Sequence, residues 1–138
     1  MAEAWTVAAL REQLPGAMEG EVTLSGEGET LIVTFPDAGG LNVVMTVSGE
    51  QILASTLLWP RDEQDEPHRF EEHALRIHKL LPLSTFGITT LGGRDWYELF
   101  GALSARSTLD DVVRELRFLA TNAVDMAEAR GDAGAGQE

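Results

Sequence analysis

Apolar residues recur at every second position through much of the first half of the chain. Val22 and Leu24 alternate with polar neighbours in Glu21–Ser25, Leu31, Val33 and Phe35 in Thr30–Phe35, and Val43, Met45 and Val47 in the run that starts at Leu41. A period of two places such residues on one side of an extended strand. Turn-forming stretches separate these runs: GEGE at Gly26–Glu29, PDAGG at Pro36–Gly40, and SGE at Ser48–Glu50, after which Gln51–Trp59 reads as a fourth strand or a bent continuation. Connections this short join antiparallel neighbours.

Elsewhere the period changes to that of a helix. Residues 4–14 carry a mixed apolar stripe of Trp5, Val7, Ala8, Leu10 and Leu14, and Pro15-Gly16 is expected to end it. After the acidic loop Pro60–Glu66, Pro67 suits a first helical turn, and that helix must stop before Pro82. Thr85–Leu91 and Trp96–Leu103 are two further strands around a Gly92–Asp95 turn. Ser107, with Asp110 three residues on, resembles a capping box and predicts a last helix running to about Arg130. The expected order is helix, three or four strands, helix, two strands, helix. This is an α+β fold with one antiparallel sheet and helices packed on it. Residues 1–130 form the expected single domain, and residues 131–138 a flexible C-terminal tail.

On the second helix a turn of ~100° per residue gathers Phe70, Ala74, Ile77 and Leu81 on one face. His73 falls at the border of that face, and His68, Glu71, Glu72, Arg76, His78 and Lys79 spread over the rest. On the last helix Leu109, Val112, Val113, Leu116, Leu119, Ala120, Ala123, Val124 and Ala127 form a broad apolar stripe. Phe118 lies nearly opposite, among Asp111, Arg114, Thr121 and Asp125, and is the expected contact for a partner or a second subunit.

The chemistry-bearing residues do not assemble a catalytic pattern. The three histidines are spaced five apart, at His68, His73 and His78. Two zinc ligands on one helix need a spacing of four, and a fifth residue swings neighbouring side chains apart by ~140°. His68 and Glu72 do share the i, i+4 spacing, so a small metal-dependent enzyme using that helix face is the alternative to a binding protein. Gly26-x-Gly28 is flanked by Glu27 and Glu29 and opens no helix, so it reads as a hairpin turn and not as a phosphate cradle. Ser84, Ser104, Asp95 and a histidine could in principle make a triad, but no G-x-S-x-G elbow exists. Asp110 and Asp111 sit where they complement a helix dipole. We therefore expect no catalytic residues, no cofactor and no metal.

The chain has 138 residues, no cysteine and a net charge of −13. Disulfides and thiolate chemistry are excluded. The negative field repels nucleic-acid phosphates and anionic lipids, so neither is an expected partner. The first residues lack the basic and apolar regions of a signal peptide, and no apolar run is long enough to insert in a membrane. A cytoplasmic location is the expectation.

Four stretches carry a family resemblance: Ser48–Pro60 (SGEQILASTLLWP), His78–Ile88 (HKLLPLSTFGI), Trp96–Leu116 (WYELFGALSARSTLDDVVREL) and Leu119–Val124 (LATNAV). Together they resemble the YjfI-like bacterial proteins, from about Trp5 to Val124. The resemblance implies no known reaction. Genes of that family often lie beside those of membrane-stress proteins, which implies an accessory role there and a membrane-stress protein as partner. The element order is also similar to that of class I type III secretion chaperones. Those are small, acidic, usually dimeric proteins that hold extended segments of other proteins. The resemblance thus implies a protein-binding function, with a homodimer as the accompanying expectation.

Overall fold

A computed structural model describes residues 3–135, with side chains described as far as Glu128 and at Arg130. The described residues form six strands and three α-helices. In chain order they are α1 (Val7–Ala17), β1 (Thr23–Ser25), β2 (Leu31–Phe35), β3 (Leu41–Ser48), β4 (Gln51–Pro60), α2 (Pro67–Ile77), β5 (Thr85–Leu91), β6 (Arg94–Ser104) and α3 (Leu109–Ala135). The sheet is antiparallel throughout, in the order β1-β2-β3-β4-β6-β5. β1 to β4 are a meander. The chain then leaves through α2, returns at the far edge as β5, and turns back as β6 into the gap beside β4.

The alternation expected of β2 and β3 holds. Leu31, Val33, Phe35, Val43 and Met45 all point into one core, which Ile52, Ala54, Tyr97 and Leu99 extend across β4 and β6. Two glycines make the last hairpin possible. Gly92 and Gly93 have φ of 60° and 77°, the conformation of a two-residue turn that matches the sheet twist. The turn is therefore shorter than expected, and Arg94 and Asp95 already belong to β6, opposite Leu91 and Thr90.

The helices differ from expectation at their ends. α1 starts at Val7, because Thr6 accepts a hydrogen bond from the Ala9 amide and leaves Trp5 outside. Trp5 instead donates its indole N–H to the Ser107 carbonyl at 2.7 Å. Pro15 does not break α1. It falls in the last turns, where the missing N–H costs one bond, and the helix closes through Met18 N–H on the Leu14 carbonyl. α3 is capped by Thr108, whose hydroxyl accepts from the Asp111 amide at 3.1 Å, so the box sits one residue later than Ser107 and Asp110 predict. Its backbone stays helical to Ala135, beyond the expected end at Arg130; residues 136–138 of the expected tail lie outside the described residues.

The apolar arc of α3 is also rotated. Val112, Leu116, Leu119, Ala123 and Met126 are buried, but so are Glu115 and Asn122, while Val124 and Ala127 are exposed. Asn122 donates both to the Pro82 carbonyl and to Ser84 Oγ, each at 2.9 Å, and so ties α3 to the turn before β5. Glu115 lies over Gly101 of β6, where a Cβ would stand 2.3 Å from its Oε2. That oxygen is buried and has no hydrogen-bond partner, and burial pushes the carboxyl pKa up.

Candidate functional site

All three helices pack on the face of the sheet that carries Val33, Met45, Ala54, Tyr97 and Leu99. Among the described residues no helix covers the opposite face. Strand alternation makes that face from the other set of side chains. One row crosses it from Ile32 through Val44, Ser55 and Phe100 to Thr85. The flanking rows hold Thr46, Leu53 and Ala102 on one side, and Leu57, Glu98 and Gly87 on the other. Val44 and Leu57 are exposed, and Leu53, Trp96 and Phe100 are half-buried. Gly87 leaves room for the Phe100 ring, whose Cε1 would be 3.3 Å from a Cβ there. Glu98 is the acid standing in these rows, and partial burial pushes its carboxyl pKa up. A face this apolar on a chain of net charge −13 is a surface on which another polypeptide can dry apolar side chains.

The end of the core beneath α2 is aromatic and polar. Phe70 packs against Tyr97, Trp59 and Phe86 with ring centroids 5.0, 5.4 and 6.0 Å apart. The Tyr97 hydroxyl donates to Glu71 Oε2 at 2.7 Å, and Arg61 donates to the same carboxylate. Burial alone would raise the Glu71 pKa, but the bonds from Arg61 and Tyr97 outweigh it and hold the carboxyl below its ordinary 4.5. Burial, with the Glu71 carboxylate beside it, pushes Tyr97 up. This arrangement fixes α2 on the sheet. Tyr97→Phe is expected to destabilise the fold by about 1.5–3 kcal/mol in urea unfolding, since it removes a buried bond to a charged group. The contribution of Glu71 is present above pH 4.5 and is lost as the pH falls through its lowered pKa. The loss caused by Tyr97→Phe therefore shrinks in acid.

The histidines are dispersed. His68 is exposed, with Nδ1 3.5 Å from Arg61 and 3.9 Å from Glu71. Its expected companion Glu72 is instead paired with Arg76 at 2.8 Å. His73 is exposed, not at a half-buried border; Phe70 and Ala74 are the buried residues of α2. His78 Nε2 accepts the Phe86 amide at 3.1 Å and anchors the start of β5. Among the described residues no three His, Asp or Glu side chains gather as metal ligands do. Ser84 is held by Asn122, Ser104 accepts from the Arg106 amide, and Asp95 accepts from Thr90 at the other end of β6.

Phe118 is half-buried, not standing clear of the surface. It lines a hollow of about 390 Å³ with Val113, Arg114, Arg117 and Thr121. Arg117 is held there by Glu21 at 2.6 Å. From sequence the expected binding surface is either the sheet or α2; apolar residues of both parities in Val43-Val44 and Leu57-Leu58 are the signal for the uncovered sheet face.

The architecture is that of a small class of α+β proteins with secretion-chaperone-like folds. Solved structures that share it include two. YbjN of Escherichia coli, for which a role in transcription regulation has been suggested, superposes with a TM-score of 0.70 at 12% identity, covering 99% of this chain and 96% of that one. The ExsC–ExsE complex gives a TM-score of 0.59 at 20% identity, covering 85% and 87%. By sequence, residues 4–132 match the DUF2170 family, described as uncharacterized proteins conserved in bacteria, and the chain belongs to it. The uncharacterized protein YjfI of E. coli K12 is 32% identical over 124 residues, 90% of this chain and 93% of its own length. The family resemblance expected from Ser48–Pro60 and the later stretches therefore holds.

Proposed function

We propose that this chain is a non-catalytic, chaperone-like protein-binding domain that holds an extended segment of another protein on the helix-free face of its sheet. The observation that carries this reading is the cross-sheet row of Ile32, Val44 and Phe100, with Leu53 and Leu57 beside it and no helix over it among the described residues. The net charge of −13 selects for a partner segment that mixes apolar with basic residues. The shared fold adds support, since one of the similar structures is a complex between two proteins, ExsC and ExsE. Phe118, in its hollow on α3, is a second contact for the same partner. The setting is the bacterial cytoplasm and the partner a membrane-stress protein, as the gene neighbourhood of the YjfI-like proteins implies.

Crosslinking in the native cell, followed by mass spectrometry of what co-purifies, tests this. A stoichiometric protein partner is expected, with its capture reduced at least tenfold by Leu57→Asp and to a smaller extent by Phe118→Asp. Recovery of the partner at full yield with Val44→Asp and Leu57→Asp combined would remove the sheet face from the reading.

A further inference from the structure

The helix-free face of the sheet is almost without charge. Of the strand residues that alternate onto it, from Thr23 and Ser25 on β1 to Leu91 on β5, the charged ones are Arg94 and Glu98, both on β6. Arg94 is already engaged. Asp62 and Glu63 hold its guanidinium at 2.7 and 2.8 Å, and the same group lies 5.7 Å from the centroid of the Trp96 ring. Glu98 is not engaged: among the described residues no hydrogen bond or ion pair reaches its carboxylate. It is half-buried, in one row with Leu57 of β4 and Gly87 of β5. Its side chain leans over that glycine, where a Cβ would stand 3.9 Å from Oε1. Trp96 and Phe100 flank it along β6.

A segment laid on this face strips water from that carboxylate. An apolar residue above it leaves a dried charge without a partner, and an acid there adds repulsion. A lysine or arginine supplies the missing cation through a charge-assisted hydrogen bond. Strand geometry says where that cation must stand. Trp96, Glu98 and Phe100 are two positions apart, so β6 presents them in a line at intervals of ~7 Å. An extended segment running along β6 presents its alternate side chains at the same interval. We propose that Glu98 selects the bound segment, by pairing with a lysine or arginine set between two apolar residues that pack on Trp96 and Phe100. The inference rests on the sheet-face reading and sharpens it. The net charge favours basic partners in general, whereas Glu98 asks for one pattern, apolar-x-basic-x-apolar. A mismatched segment is rejected by the charge it leaves unpaired.

The test is fluorescence anisotropy on the full chain, with labelled peptides that differ at one residue. Each carries Leu-Thr-X-Thr-Leu within one constant extended sequence, X being lysine, its uncharged isostere norleucine, or glutamate. At physiological salt the lysine peptide is expected to bind about tenfold more tightly than the norleucine peptide, and the glutamate peptide more weakly than either. Glu98→Gln is nearly isosteric, and far-UV circular dichroism checks that it is folded. It is expected to bring the lysine and norleucine peptides within about twofold of each other. Glu98→Lys is expected to reverse the order and favour the glutamate peptide. Equal affinity for all three peptides, with binding abolished by Leu57→Asp, overturns the inference and leaves the sheet-face reading standing. Binding that Leu57→Asp leaves unchanged, or no binding by any peptide, overturns both. A preference for lysine that survives Glu98→Gln also overturns the inference, because the charge of the whole chain is then its source.

Discussion

Phe70→Ala is expected to lower the stability of the protein by about 3–5 kcal/mol, the range for emptying a fully buried aromatic site. Phe70 is completely buried, and it is the largest buried side chain that α2 sets against the sheet. Three rings surround it, from β4, β5 and β6, so its removal loses tilted and edge contacts as well as area. Little can collapse into the space, because Trp59 is tied to Gln64 by its indole N–H and Tyr97 to Glu71 by its hydroxyl. Arg130, stacked 4.8 Å from the Trp59 ring, holds that ring from the α3 side. In thermal unfolding the loss corresponds to a fall of roughly 10–20 °C. The near-ultraviolet dichroism of Trp59 should weaken with it. Phe70→Leu should cost much less. A Phe70→Ala protein within 1 kcal/mol of wild type, on the scale of ordinary surface changes, would mean that α2 is held by its polar contacts alone.

Glu115→Gln is expected to do the opposite and raise stability at neutral pH by about 1–3 kcal/mol, because a neutral carboxamide costs less to bury without a partner than a carboxylate does. Glu115 is 6% exposed, and its Oε2 has no partner. Its folded pKa is raised from the ordinary 4.5 by burial, so the folded state holds the proton more tightly than the unfolded chain does. Stability from this group is complete below pH 4.5 and declines as the pH rises through the raised value. The advantage of the glutamine variant should therefore be full at pH 7 to 8 and shrink toward pH 4. An advantage independent of pH would show that packing, not charge, is the cause. The partner position gives a second check. Gly101→Ala places a methyl 2.3 Å from Glu115 Oε2, and overpacking of that kind costs about 1–3 kcal/mol. In a Glu115→Ala background most of that cost should vanish, because the two positions share one space.

These two sites mark what the chain discloses before it folds. Alternation placed β1 to β3 within a residue or two, because a strand with one buried face writes its period directly into the sequence. The meander and the three helices followed from turn residues and prolines. Pro15 misled, since a proline near a helix end forfeits one bond and nothing more. Glu115 and Asn122 were unreadable, because a polar residue is assigned to solvent unless its partner is known. Asn122 finds Pro82 and Ser84 forty and thirty-eight positions away in the chain. Glu115 is accommodated by a glycine on another element. The helix-free sheet face was legible in principle, as apolar residues on both parities of β3 and β4, but a two-sided apolar strand reads equally as one buried on both faces. Phe118 was set opposite the apolar stripe because Glu115 and Asn122 were left out of it; with those two buried the arc extends toward Phe118, which lies at its margin.

The strand order also dictates a sequence of events in time. β1 to β4 meet through short turns, and such local contacts form early. The other edge of β4 must wait for β6, since Gln51 pairs with Ser104 only after α2 and β5 have been laid down. During that interval a ten-residue strand containing Ile52, Leu53, Leu57 and Leu58 presents an unsatisfied edge to its surroundings. Closing that gap is the expected slow step of folding. Substitutions in β6 should retard refolding more than equally destabilising ones in β2. The half-built meander is the species from which aggregation would start, so yield on refolding should fall steeply with protein concentration.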